Sequence, residues 1–106
     1  MSSENHRDDL FDSLSNARRR RVLACLDANR TPISACELAR LVAACETDAP
    51  EDGLPTQRVQ RIYLALYHFH LPKLADGGVL DWDGDDLEVT TGPRFEVAID
   101  LLDRVE

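Results

Sequence analysis

The apolar positions divide the chain into segments of different period. Val22, Leu23 and Leu26 recur at helical spacing in a segment that runs to about Ala28. Ser15 is expected to cap its start, with Leu14 as a hydrophobic staple. Asn29-Arg30-Thr31-Pro32 ends it, since Pro32 cannot extend a helical ladder and pushes Thr31 out of helical geometry. Ile33 stands alone between turn signals and predicts a very short strand. Ser34-Ala35-Cys36-Glu37 spells a capping box, opening a second helix. That helix is expected to turn Leu38, Leu41, Val42 and Cys45 inward and to end near Glu46. Thr47 to Pro55 holds two prolines and a glycine, which forbids a continuous helix and predicts an expanded turn. Thr56 is expected to cap a long third helix with two apolar sides. Val59, Ile62, Leu66 and Phe69 form one side; Tyr63, Tyr67, Leu71 and Leu74 form the other. Pro72 lies inside this helix and predicts a kink near His68. Gly77-Gly78 is the C-cap signal. Val79 to Asp83 and Leu87 to Thr90 alternate in apolar character around a turn containing Gly84, as a hairpin does. Thr91-Gly92-Pro93 breaks that pattern. Pro93 opens a last helix with Phe95, Ala98, Ile99, Leu102 and Val105 at helical spacing.

The order helix, short strand, helix, helix, hairpin, helix predicts a fold that is mainly α with a small β-wing, a winged helix-turn-helix. The chain of 106 residues favours one domain over residues 13–106, preceded by a flexible acidic arm over residues 1–12. No internal repeat or low-complexity segment interrupts it. The last helix and the spare apolar face of the third helix are expected to form a homodimer, which a domain this small uses to enlarge its core.

Charge changes this picture. Asp and Glu number 20 against 12 Lys and Arg, for a net charge of -8. Most of the acids are Asp, and Lys73 is the single lysine. Such surfaces suit a salt-loaded cytoplasm, where molar salt screens self-repulsion; an acidic mesophilic protein is the alternative. The charge is also uneven. Residues 17–73 carry nine bases and six acids, whereas residues 74–106 carry two bases and ten acids. The helix-turn-helix half is thus locally basic, as contact with a phosphate backbone requires. No apolar run approaches the ~20 residues that span a membrane, and the start of the chain has no secretory pattern, so a cytoplasmic location is expected. Cys25, Cys36 and Cys45 form no CxxC, which speaks against a disulfide or metal framework and for small buried apolar residues.

The stretch His70-Leu71-Pro72-Lys73-Leu74-Ala75-Asp76-Gly77-Gly78-Val79-Leu80 resembles winged helix-turn-helix regulators of the arsenical-repressor-like type. Leu14-Ser15-Asn16-Ala17-Arg18-Arg19-Arg20, with Leu66-Tyr67-His68-Phe69-His70-Leu71-Pro72-Lys73-Leu74, is more closely similar to an uncharacterised haloarchaeal winged-helix domain family. The similarity covers Phe11 to Thr90. It implies a DNA-binding transcriptional regulator of a halophilic archaeal type. It also places His68 where a small polar recognition residue stands and His70 where a packing histidine stands.

The residues themselves offer a candidate interface. Gln57, Arg58, Gln60 and Arg61 lie in the first turns of the third helix, where base contacts usually fall. Arg pairs bidentately with guanine, and Gln with adenine. A solvated helix face is the alternative. Arg18, Arg21 and Lys73 are candidate phosphate contacts. For Arg18-Arg19-Arg20-Arg21 the competing reading is ion pairing with the acidic arm or a neighbouring carboxylate. His68 and His70, two apart, cannot share a metal from one chain; no metal or cofactor is expected. Five acids fall between Asp81 and Glu88, whereas wings that touch DNA usually present Arg or Lys. A second reading is therefore a protein-interaction module, docking a partner through the acidic wing and Trp82. No catalytic triad, phosphate-cradling glycine loop or distinct carboxylate pair is present, so an enzyme is not expected.

Overall fold

Each apolar stripe finds its cover in a neighbouring element. The computed structural model describes residues 14–47, 53–83 and 87–105; the acidic arm expected over 1–12 lies outside them. Helix α1 spans Ala17–Ala28. Its N-cap is Asn16 rather than Ser15: the Asn16 Oδ1 accepts the Arg18 and Arg19 N–H groups at 2.9 and 3.3 Å. The side chain of Asn29 closes the other end, donating to the Cys25 carbonyl at 2.7 Å. Strand β1, Ile33–Ser34, leads into α2, Ala35–Thr47. Ser34 Oγ accepts the Glu37 N–H at 3.0 Å, the backbone half of the expected capping box. The buried face of α2 is Ala35, Leu38, Ala39, Val42 and Ala43. Cys45, expected inward, is exposed, and two alanines take that side. Their small side chains suit α2, which packs against both α1 and the third helix.

Helix α3 spans Thr56–Ala65, and α4 spans Leu71–Asp76. Pro55 rather than Thr56 stands at the α3 N-cap, and its carbonyl accepts the Arg58 and Val59 N–H groups at 3.1 and 3.3 Å. Between α3 and α4, Leu66–His70 winds as a π-helix, with the Leu71 N–H donating to the Leu66 carbonyl. This is the form the expected kink takes. Pro72 has no N–H and its ring crowds the carbonyl of His68, so one widened turn relieves the clash without breaking the helix. The extra residue rotates all that follows by about 100°. Burial passes from Leu66 straight to Leu71 and Leu74, each 0% exposed, while Phe69, expected inward, is 69% exposed.

The end of α4 is a Schellman motif. Gly78 has φ +76°, its N–H donates to the Ala75 carbonyl, and the Val79 N–H donates to the Leu74 carbonyl, both at 3.0 Å. Val79 and Leu74 are both fully buried in the same core. The chain then enters β2, Leu80–Trp82, and β3, Glu88–Thr91. β3 is the central strand, antiparallel to both neighbours, in the order β1-β3-β2. Ile33 pairs with Val89, Leu80 with Thr91 and Trp82 with Val89. Leu87, expected inside the strand pattern, instead has φ +59° and is exposed. Its N–H reaches the Asp83 carbonyl and its own carbonyl accepts the Ala35 N–H at 2.8 Å, so the wing is tied to the start of α2. Gly92 leaves no room for a side chain, because a Cβ there would lie 2.6 Å from the Gly78 carbonyl oxygen. Helix α5, Phe95–Val105, buries Phe95, Ala98 and Leu102 and packs against α1. The molecule is a winged helix-turn-helix, mainly helical with a small three-stranded antiparallel sheet.

Candidate nucleic-acid interface

The register of α3 decides what it shows to solvent. Ile62 is buried and Val59 is half-buried, so the opposite side faces outward. Gln57, Gln60, Arg61 and Leu64 are exposed there at spacings of three and four, and His68 in the π segment is exposed beyond them. Leu64, 53% exposed, was absent from the expected site. The signal for it lay in the spacing from Gln57, Gln60 and Arg61. Arg58 is exposed on the flank of this stripe. With Arg18, Pro55, Gln57, Arg61 and Ile62 it lines an open cleft of about 400 Å³ at the start of α3.

The arginine run on α1 is distributed among different tasks. Arg18 meets Glu46 through two hydrogen bonds, Nε to Oε2 at 2.6 Å and Nη2 to Oε1 at 2.8 Å. Arg21 Nη1 approaches the same carboxylate at 3.7 Å. Arg20 donates to the Leu14 carbonyl at 2.8 Å, and Arg19 Nη1 lies 3.4 Å from His70 Nδ1. The ion-pairing reading therefore holds for Arg18, whose fork is occupied by Glu46 rather than presented to phosphate. Lys73 is half-buried on α4, beyond the π segment, and does not line the cleft.

Glu46 is held below the ordinary glutamate range, first by the hydrogen bond from Arg18, with the charges of Arg18, Arg21 and Arg58 adding to it against the opposing effect of burial. Half-burial lowers His70, and the charges of Arg19 and Arg18 lower it further, against a smaller upward pull from Glu46. Both groups bind protons less readily folded than unfolded. Each contributes stability that is present above its unfolded value and lost as pH falls through its folded one. Acidification is expected to weaken the fold in two stages, first below about pH 6.5 as His70 charges, then below about pH 4.3 as Glu46 is neutralised. Urea unfolding across pH checks this. His70→Gln should flatten the upper stage and leave the lower one, and parallel curves for the two proteins would contradict it.

On the wing, Asp81, Asp83 and Glu88 are exposed; Gly84, Asp85 and Asp86 lie outside the described residues. The three acids border a shallow cavity with Pro32, Trp82 and Thr90. Trp82 stands edge-on to Tyr67, ring centroids 5.3 Å apart, and Tyr67 lies 6.3 Å from Tyr63. This aromatic row runs from the wing strand β2 to the π segment and α3. The indole Nε1 of Trp82 is buried without a hydrogen-bond partner among the described residues, and such a group costs about 1–3 kcal/mol when nothing satisfies it. Among the described residues no group of three or more His, Cys, Asp or Glu is placed to hold a metal ion. No described helix is long and apolar enough to cross a membrane.

A family model described as a domain of unknown function (DUF7344) matches residues 11–90. The chain belongs to this family. The match runs from before α1 to β3, so the DUF7344 domain includes α3 and the wing but stops short of α5. No curated protein and no solved structure matches the chain.

Proposed function

We propose that this DUF7344 domain is a transcriptional regulator that reads duplex DNA with α3, as a homodimer. The observation that carries the reading is the exposed stripe of Gln57, Gln60, Arg61, Leu64 and His68 along one face of α3. Arg and Gln supply bidentate contacts to guanine and adenine, and an exposed leucine between them suits a thymine methyl. Arg58, on the flank, contacts phosphate. The ten residues of α3 are about 15 Å long, enough to lie in a major groove about 12 Å wide. The resemblance to winged-helix regulators supports the same reading. Val97 on α5 and Phe69 beyond α3, 51% and 69% exposed, supply apolar surface for a second copy. A twofold dimer suits half-sites about 34–36 Å apart.

The acidic wing sets the conditions. Asp81, Asp83 and Glu88 repel phosphate at low salt and are screened at high salt, which suits a salt-loaded cytoplasm. Fluorescence anisotropy of the domain with duplex fragments, titrated across potassium chloride to molar levels, tests this. Saturable binding that prefers some fragments is expected, with two chains per site and a shallow salt dependence reporting few phosphate contacts.

A second reading rests on Trp82, whose Nε1 has no partner among the described residues, in the acidic cavity of the wing: a protein-interaction module with no direct DNA contact. Absence of duplex binding at every salt concentration, from a folded dimer, would favour it.

A further inference from the structure

Two thiols meet on the side of the molecule where α1 and α2 pack. Cys25 on α1 is 6% exposed, Cys45 in the last turn of α2 is exposed, and their sulfurs lie 4.0 Å apart. Cys36 is also exposed, but it stands nine residues from Cys45, on the opposite face of the same helix. We propose that Cys45 is an oxidation site that Cys25 resolves, so that hydrogen peroxide converts the pair into a disulfide stapling α1 to α2.

The pairing assigns each sulfur a role. Cys45 is open to solvent and meets the oxidant first. Its thiolate attacks the peroxide, the O–O bond breaks, and the product is a sulfenic acid with release of water. Cys25 then attacks the Cys45 sulfur. The S–O bond breaks, the Cys25 proton leaves with the departing oxygen, and a second water forms. Two thiols lose two electrons and two protons in all, and one peroxide is reduced to two waters. Burial, and secondarily the charge of Cys45, push the Cys25 thiol up to about 12, so Cys25 is the poorer first nucleophile. Conversion of Cys45 to a neutral sulfenic acid removes the second of those causes at the moment Cys25 must react.

Geometry permits the step. The sulfurs must close from 4.0 Å to about 2.05 Å, and Cys45 lies in a terminal helical turn, where a small shift is least resisted. This inference is independent of DNA binding.

The test uses the full reduced chain and one equivalent of hydrogen peroxide. Trypsin cleavage after arginine leaves Cys25, Cys36 and Cys45 on separate peptides. The expected product is a monomer lighter by two hydrogens. Alkylation after denaturation should reach Cys36 alone, and the Cys25 and Cys45 peptides should be joined until reduced. Cys36→Ser should behave like the parent chain, and Cys45→Ser, at an exposed site, should lose the cross-link. Accumulation of sulfinic acid on Cys45 with Cys25 still alkylatable would overturn the proposal, as would oxidation only to intermolecular disulfides.

Discussion

Replacing Arg58 and Arg61 together by alanine is expected to abolish selective duplex binding while leaving the fold intact. Both side chains are exposed, neither hydrogen-bonds in the Arg18–Glu46 pair that ties α1 to α2, and the charge of Arg58 is the smallest of the influences on Glu46. Loss of a bidentate arginine–guanine contact at Arg61 costs about 1–3 kcal/mol. Loss of a phosphate contact at Arg58 lowers affinity across all sequences and reduces the salt slope by about one. Together the two changes should weaken binding by up to roughly a thousandfold, the low end of the margin by which specific binding exceeds non-specific association. The stability of the double variant should stay within about 0.5 kcal/mol of the parent, as for other surface substitutions, and urea unfolding checks this. Undiminished preference for particular fragments in the folded double variant would end the assignment of α3 as the reading helix.

The second large effect tests the π segment. Leu71→Ala is expected to cost about 2–5 kcal/mol, because a fully buried leucine leaves a cavity that its neighbours fill only in part. That is a large fraction of the ~5–15 kcal/mol that holds a domain together. Phe69→Ala, two residues earlier, should change stability by less than about 0.5 kcal/mol, because that ring is 69% exposed. A regular helix through Pro72 would place Phe69 in line with Ile62 and Leu66, and its truncation would then cost about 3–5 kcal/mol. Denaturant unfolding at concentrations too low for association separates the two cases. A costly Phe69→Ala beside a cheap Leu71→Ala would mean that the helix is not rephased.

Much of the architecture was legible because local chemistry specifies it. The Ser34 cap, the apolar spacing of Val22, Leu23 and Leu26, and Gly77-Gly78 before an alternating pair of segments each act within a few residues. Such signals survive without knowledge of what lies across the fold. The candidate interface was partly legible for the same reason. Gln57, Gln60 and Arg61 follow one helical face, and Leu64 could have been added from that spacing. What misled were side chains whose surroundings come from elsewhere. Cys45 looked apolar and inward, but the buried face of α2 centres on Leu38, Ala39, Val42 and Ala43, and Cys45 meets Cys25 of α1 from an exposed edge. Phe69 followed the expected stripe until Pro72 forced an extra residue into the turn.

By itself the chain determined the order of its elements, the Ser34 cap of α2, the acidic character of the wing and the polar face of the third helix. These depend on backbone propensity and periodicity over one or two turns. Tertiary structure alone decided that Arg18 is held by Glu46, that Cys25 lies against Cys45, and that Trp82 stands on Tyr67. Each of those pairs joins residues well apart in the chain. The rotation of one element against another sets such distances, and no local period encodes that rotation.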